Sequence, residues 1–442
     1  MSEQAGSTPP RVLMVAIGGY GYHYLHALLD EVPAERATLA GVVDPFASQS
    51  AAWPRVAQLG VPIAEGVDAF FAAGHQADLT VVSSPIHFHV SQSLSALAGG
   101  SHVLCDKPLG ATVPDVDRLV RARDRADRFV MVGYQWSYSE AIQSLKRDLL
   151  AGRYGRPISL ATLCAWPRDL AYYRRNTWAG RLRDRATGAW VLDSPANNAM
   201  AHFLHNALFL LGPDMTRSAL PAAVTAELAR AYPIESADTA ACRILTNGGC
   251  EVLFLASHVT EHAIEPRFRI ECEKGVIVYG ETGRRVEGTT SDGQVTDYGD
   301  PDATHQFHKL FAAIDRVRSL GTGCMTRSRG VVTPPHAGDE AVSRDVCGIE
   351  AAAAQTIGVT AMHESVPEVA VFPALLRRGL PDDRVHVLRL GEDLLRCYRS
   401  AVMPSEIGCS WAAPGRQVLP TLPSCFLEAG PSMSAVPGRS AP

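Results

Sequence analysis

No stretch of this 442-residue chain approaches the ~20 consecutive apolar residues that a helical membrane span requires. Its N-terminus, MSEQAGSTPPR, has no basic segment followed by an apolar core, so residues 1–10 read as a disordered leader and not as a secretory signal. The ten cysteines include no C-x-x-C pair and no zinc-like spacing. They read as reduced packing residues of a cytoplasmic protein, with no metal site. Basic excess is missing too: 41 Lys+Arg stand against 46 Asp+Glu, for a net charge of −5. No dense basic run offers itself to nucleic acid or to a membrane surface. Lysine itself is scarce, with only four in the chain, at positions 107, 146, 274 and 309. A lysine in a chemically suggestive place therefore draws more suspicion here than in an average chain.

What is present is a hydrophobic fraction of 46% and a charged fraction of 20%, ordinary for a globular enzyme, in a length that predicts two or three domains. The stretch VLMVAIGGYGYHYLHALL, residues 12–29, organises the first of them. An apolar run from Val12 to Ile17 suits a strand buried on both faces, and Leu25, Leu28 and Leu29 follow with helical spacing. Between them lie Gly18, Gly19, Tyr20 and Gly21, which fit G-x-G-x-x-G with Ala16 in the first glycine position. Strand, glycine turn and helix form the unit that brings a backbone close to a pyrophosphate and offers it free N–H groups. A plain glycine turn in a parallel sheet has the same local appearance.

The stretch one unit further on separates these readings. Leu39–Val43 reads as a second buried strand and ends in Asp44, 23 residues past Gly21, close to the ~20 expected for the acid that binds both ribose hydroxyls of NAD. A carboxylate there repels a 2′-phosphate, and Pro45-Phe46-Ala47-Ser48 holds no arginine to receive one, so NAD is expected over NADP. Helices over 47–59, 68–73, 90–98 and 114–126 alternate with strands at 79–82, 102–105 and 129–132. The strand at 102–105 delivers Asp106-Lys107-Pro108 at its carboxyl end, where open α/β sheets place ligands. Lys107 there can donate to a substrate oxygen, unless it is a plain surface lysine after a strand.

Five stretches now stand in order: the turn at 16–21, VVDP at 42–45, SSPIHFH at 83–89, HVLCDKP at 102–108 and GYQW at 133–136. Together they resemble the Gfo/Idh/MocA family of nicotinamide-dependent oxidoreductases, over roughly residues 11–365. The resemblance implies an α/β Rossmann dinucleotide-binding domain (11–136), then an α+β domain (137–365) with a large open, mostly antiparallel β-sheet. It implies that Asp106 and Lys107 meet the cofactor, with Lys107 also reaching substrate. Ser84, Pro85 and His87 line the nicotinamide pocket, with His89 structural. One face of the second sheet closes over the nicotinamide, and the other pairs subunits into a homo-dimer or homo-tetramer.

Beyond Tyr138 the pattern does change. A helix is expected over 138–151 and strands at 156–160, 239–245, 250–257, 268–272 and 276–279, then an alanine-rich helix over 345–363. Within GAWVLDSPANNAMAHFLHNALFLLG, residues 188–212, alignment on Gly212 places His202 at the family's catalytic histidine and Asn198 on its usual aspartate. Asn198 stands four residues earlier, on the same face of a helix, where it would orient His202. His202 suits the proton transfer that accompanies hydride loss, because an imidazole titrates near neutrality. Asp193 is a second source of the missing carboxylate, and His205 is the competing histidine, assigned a supporting role. Arg174, Arg175, Asn176 and Trp178 mix stacking surface with forked donors, as a polyhydroxylated or carboxylated small-molecule substrate requires, or as a solvated loop with one anchoring Trp also would.

The tail, 366–442, holds ten of the 29 prolines, one strand over 385–390 and one amphipathic helix over 392–402, with its last forty residues disordered. It is expected to cover the second sheet without carrying chemistry. The expected activity is NAD-dependent oxidation of a secondary alcohol on a sugar, cyclitol or glycoside, or the reverse reduction. Two other readings stay open: an NAD-dependent glycosidase acting by transient sugar oxidation, and a non-catalytic protein that senses NAD or sugar.

Overall fold

The structure, a computed structural model, describes residues 8–321 and 346–427. A six-stranded parallel sheet comes first: β1 (Arg11–Val15), β2 (Thr38–Val43), β3 (Ile63–Ala64), β4 (Leu79–Val82), β5 (His102–Cys105) and β6 (Val130–Val132), in the order β3-β2-β1-β4-β5-β6. Its central strands are continuous apolar runs because both faces are covered, and every residue of LTVV in β4 is buried. The covering helices are α1 (Tyr20–His26), α2 (Trp53–Leu59), α3 (Val67–Ala72), α4 (His89–Ala98) and α5 (Val113–Ala126). The chain leaves β1 towards β2 on one side and returns to β4 on the other. A crevice therefore opens beyond the carboxyl ends of β1 and β4.

The expected helix over 47–59 divides into a 3-10 turn at Ala47–Gln49 and α2. Pro54, in the first turn of α2, has no N–H to continue an earlier helix, so the second piece starts afresh there. The expected helix over 138–151 likewise opens with a 3-10 turn, Gln135–Tyr138, before α6 (Glu140–Leu150).

A nine-stranded sheet follows. Its strands are β7 (Pro157–Ala165), β8 (Pro221–Arg230), β9 (Thr239–Thr246), β10 (Glu251–Ser257), β11 (Ile264–Cys272), β12 (Gly275–Tyr279), β13 (Val286–Thr290), β14 (Val295–Gly299) and β15 (Ala370–Val371). The order is β14-β13-β12-β11-β7-β10-β9-β8-β15, antiparallel except at β7/β10 and β8/β15. Alternation sorts its residues cleanly. Leu160, Cys164, Val252 and Phe254 point into the main core, while Ala161, Leu163, Leu253 and Leu255 point to the other face. A short helix, α7 (Leu170–Arg174), follows β7, and the main core is closed by α8 (Ala201–Leu210), α9 (His308–Leu320) and α10 (Ile349–Ser365). The last of these is the expected alanine-rich helix; Asp345, its expected first residue, lies outside the described residues.

The second face is covered by the chain's own tail. There β16 (Arg377–Gly379) pairs with β17 (Val385–Val387), and α11 (Leu390–Ser400) follows. Phe372, Leu390, Leu394, Cys397 and Trp411 pack with Leu163, Leu253 and Leu255 into a second core. Polar contacts fasten this cover: Arg243 of β9 grips the Glu406 carboxylate, and Glu227 of β8 accepts from the Ser405 N–H at 3.1 Å. Two expectations change here. Residues 403–427, expected to be disordered, lie against the sheet, held by Gly415 N–H to the Ala226 carbonyl and by a bridge between Val418 and Val224. The face expected to pair subunits is, along β7 to β10, occupied from within the chain.

Candidate active site

The glycine turn sits where the sheet reverses. Gly19 has φ 53 and ψ −124, a conformation open to glycine, and a Cβ on Gly21 would overlap the Ala16 carbonyl oxygen. Gly21 is thus a packing requirement, while Gly18 and Gly19 stand exposed at the cleft. Asp44 arrives on the adjoining strand end and accepts from the Ile17 N–H at 2.9 Å and the Phe46 N–H at 2.8 Å. Each oxygen keeps a lone pair for a ribose hydroxyl. The turn, Asp44, Ser84, Pro85, Asp106, Lys107, Trp178, Asn198 and His202 all line one cleft of about 660 Å³. An exposed glycine cradle, a fixed acid beside it and a cleft of small-ligand size fit a dinucleotide.

Lys107 is half-buried at the cleft floor, and its ammonium donates to the Asn198 carbonyl at 3.1 Å and stands 3.5 Å from Asn198 Oδ1. Asn198 Nδ2 donates to Asp193 Oδ1 at 2.8 Å, and Asp193 Oδ2 accepts from the Gly180 N–H at 2.6 Å. Asp193 is fully enclosed, so the charge of Lys107 is balanced through an amide that both groups share. Loss of hydration pulls the Lys107 pKa below the ordinary lysine range, opposed by Asp106 and Asp193. Burial pushes Asp193 up, opposed by Gly180 N–H, Arg175, Asn198 and Lys107.

This placement corrects the expected role of Asn198. The helix α8 begins at Ala201, so Asn198 lies in the preceding turn and shares no helical face with His202. Pro195 and a hydrogen bond from the Asn198 N–H to the Ser194 carbonyl shape that turn, and Gln355 of α10 holds it from behind. With its amide committed to Asp193 and Lys107, Asn198 positions the lysine. His202 remains in the cleft with its Nδ1 unpartnered among the described residues. Its pKa is held well below the ordinary histidine range by burial, and then by the charges of Lys107 and Lys309. His205 is fully buried one turn on. It stacks on Tyr134 with centroids 3.8 Å apart and bonds Ser137 Oγ at 2.8 Å.

Lys309 is the group that sequence reading passed over. It reaches from α9 into the cleft wall, fully buried, with its ammonium 3.4 Å from Asp106 Oδ1 and 3.2 Å from the Gly133 carbonyl. The rings of Tyr20 and Tyr24 lie 4.8 and 4.9 Å from that ammonium. Burial lowers its pKa, opposed by Asp106. Lysine scarcity was the available signal, since half of the four lysines end in one cleft.

Other expected contacts lie elsewhere. His87 is off the cleft, its Nε2 at 4.0 Å from Asp184, while His89 lines it, braced between the Pro108 and Ser84 carbonyls at 2.7 and 2.8 Å. Asn176 spends its side chain capping the Trp178 and Ala179 N–H groups. Arg175 stacks over Tyr172 at 3.7 Å. Arg174 turns into a separate pocket.

Residues 10–134 match the model of an oxidoreductase family described as Gfo/Idh/MocA, NAD-binding Rossmann fold. The chain is 27% identical over 202 residues to an inositol 2-dehydrogenase of Burkholderia multivorans, a match covering 46% of this chain and 54% of that enzyme. The chain thus spans about half the length of the curated relatives it matches. In fold it resembles the WlbA dehydrogenase of Bordetella pertussis, solved with NADH and UDP-GlcNAcA, with a TM-score of 0.61 and 20% identity over 81% of this chain and 97% of that one. An oxidoreductase of Agrobacterium radiobacter, solved with NAD+, L-tartaric acid and magnesium, gives a TM-score of 0.60, 20% identity and the same coverage of both chains.

Proposed function

We propose, from the premise that residues 10–134 belong to the Gfo/Idh/MocA oxidoreductases with their NAD-binding Rossmann fold, that this protein moves hydride between NAD and a secondary alcohol or ketone carbon of a polyhydroxylated ring. The observation that carries the reading is that one cleft holds both a dinucleotide cradle and the group Lys107, Asn198 and His202. The relatives agree with it in class, since the matched enzyme of Burkholderia multivorans acts on an inositol.

NAD, when bound, supplies the hydride acceptor. The chain does the rest. Gly18 and Gly19 let the backbone approach the pyrophosphate, and Asp44 receives the ribose hydroxyls. The Lys107 ammonium, aimed by Asn198 and charge-balanced by Asp193, donates to the oxygen on the reacting carbon. His202, kept neutral by burial and two neighbouring ammonium groups, takes the hydroxyl proton as hydride leaves the same carbon. Trp178, which lines the cleft, offers a stacking face to the substrate ring.

The test is NADH formation followed by absorbance across a panel of polyols, cyclitols and glycosides. One NADH per substrate consumed is expected, whereas glycoside cleavage without net NADH would move the assignment to a glycosidase. His202→Ala should cut turnover ~10²- to 10⁴-fold with NAD binding unchanged. Lys107→Ala should cost a similar factor and weaken NAD as well. Normal turnover in both variants would remove Lys107 and His202 from the chemistry, and NAD binding with no NADH formed from any member of the panel would leave a sensing role as the better reading.

A further inference from the structure

A second pocket, of about 540 Å³, lies behind the loop that carries Trp178. Trp178 faces the first cleft, while Ala179 and Gly180 wall the second, so three consecutive residues divide the two cavities. Four arginines, 174, 181, 185 and 230, line it against a single carboxylate, Glu235. Arg181 pairs with Glu235, and Arg230 donates to the Ile234 and Glu235 carbonyls at 2.6 and 2.9 Å. Arg174 and Arg185 have no hydrogen bond or ion pair among the described residues, and Arg175, next in the chain to Arg174, turns the other way to stack on Tyr172. The pocket's walls are apolar where they are not cationic: Leu170, Ala179 and Ile234. Tyr173 also lines it, 8% exposed, with a hydroxyl that has no partner among the described residues.

We infer that this pocket binds an organic oxyanion, a phosphate or carboxylate carried on a small apolar-faced or cyclic body. Two unpaired guanidinium groups and two half-engaged ones are forked donors suited to oxyanions, and a lone surface arginine needs no cavity around it. The volume falls in the range of small-molecule sites, and the apolar wall asks for more than a bare ion. The anion has two possible sources, a separate small molecule or the distal charged group of a substrate whose ring sits in the first cleft. The wall residue Gly180 donates to Asp193, which reaches Lys107 through Asn198. Occupancy therefore abuts the chain of bonds that ends at the catalytic lysine.

The test is calorimetric titration of the full chain, saturated with NAD so that the pyrophosphate cradle is filled, at constant ionic strength. Glucose 6-phosphate and pyrophosphate should bind with sub-millimolar Kd, and glucose should not. Arg174→Gln with Arg185→Gln should weaken that binding about tenfold or more while NAD affinity and Tm hold. Both arginines are exposed, so folding should survive; Arg185→Gln alone serves if it does not. Absence of heat with every phosphate, or equal affinity in the double variant, overturns the site. Pyrophosphate that competes with substrate marks a distal substrate group, and pyrophosphate that does not compete marks a separate ligand; both outcomes support the pocket. Because heat is read and not turnover, this result stands or falls independently of the dehydrogenase reading.

Discussion

Ala16 has φ 65, in the left-handed region where glycine is favoured, at the consensus glycine position nearest β1. An L-residue there costs about 1 kcal/mol, so Ala16→Gly should raise Tm by about 1–2 °C and tighten NAD slightly, as thermal unfolding and titration would read. A lowered Tm would mean that the Ala16 methyl packs more than the backbone strains. Asp44 makes a sharper claim. NAD should bind at least tenfold tighter than NADP, about 1.4 kcal/mol, and equal affinities by tryptophan fluorescence would remove it from the ribose site. At Asn198 the geometry reverses an expectation drawn from alignment. A carboxylate there would not restore a partner to His202; it would face Asp193 across the 2.8 Å now spanned by the amide. Asn198→Asp should therefore trap a proton between two acids and impair Lys107. Asp193→Asn is the cleaner probe. It removes the negative charge that favours the ammonium, so the alkaline limb of the rate profile should move to lower pH, with turnover down about tenfold. The acid limb, set by His202, should lie below pH 6.5 in both proteins, because a depressed pKa keeps the base unprotonated as pH falls. An alkaline limb that ignored Asp193 would separate that residue from Lys107.

Among the elements, α6 carries the second fully buried lysine. Lys146 lies 3.5 Å over the Phe209 ring of α8 and donates to the Arg217 carbonyl at 2.8 Å, with its pKa pulled down to about 7 by burial. The unfolded chain holds that proton up to about pH 10.4. Folding thus has to desolvate or discharge the ammonium, a cost that is full below pH 7 and fades as pH rises from 7 towards 10.4. Lys146→Met should therefore raise Tm more at pH 6 than at pH 9. An equal gain at both would mean that the folded ammonium is not strained. Such a lysine was invisible in sequence, where it sits on an ordinary amphipathic helix pattern. The β1 to β6 alternation was legible, because strands buried on both faces must be apolar runs and their carboxyl ends carry the motifs. The strand β8 was not. Its PAAVTAELAR is rich in alanine, a helix former, and becomes strand only because small residues fit between β9 and α10. Asn198 was misread for a related reason: a four-residue spacing implies a shared face only inside a helix, and Pro195 delays α8 until Ala201.

At the scale of the whole molecule, the tail turns one sheet into the divider between two cores. Only its last forty residues, rich in proline and short of periodic runs, read as disorder, because the buried apolar side chains that anchor them in the second core, Met403 and Trp411, are few and widely spaced. They find partners only on a face assembled from β7 to β10. Covering those strands from within removes them as a surface for a second copy unless the tail lifts. The main core, by contrast, runs from β1 through α10 without using the tail's α11. Leu394 is fully enclosed in the second core, and Leu394→Asp would leave a charge there without a partner, at a cost of several kcal/mol. The expected result is release of the tail with the first domain intact. Limited proteolysis should then cut within residues 366–427, light scattering should show self-association through the bared face, and NAD affinity should hold. If NAD binding fell together with tail protection, the two cores would unfold as one unit, and the tail would be part of the fold that shapes the cleft.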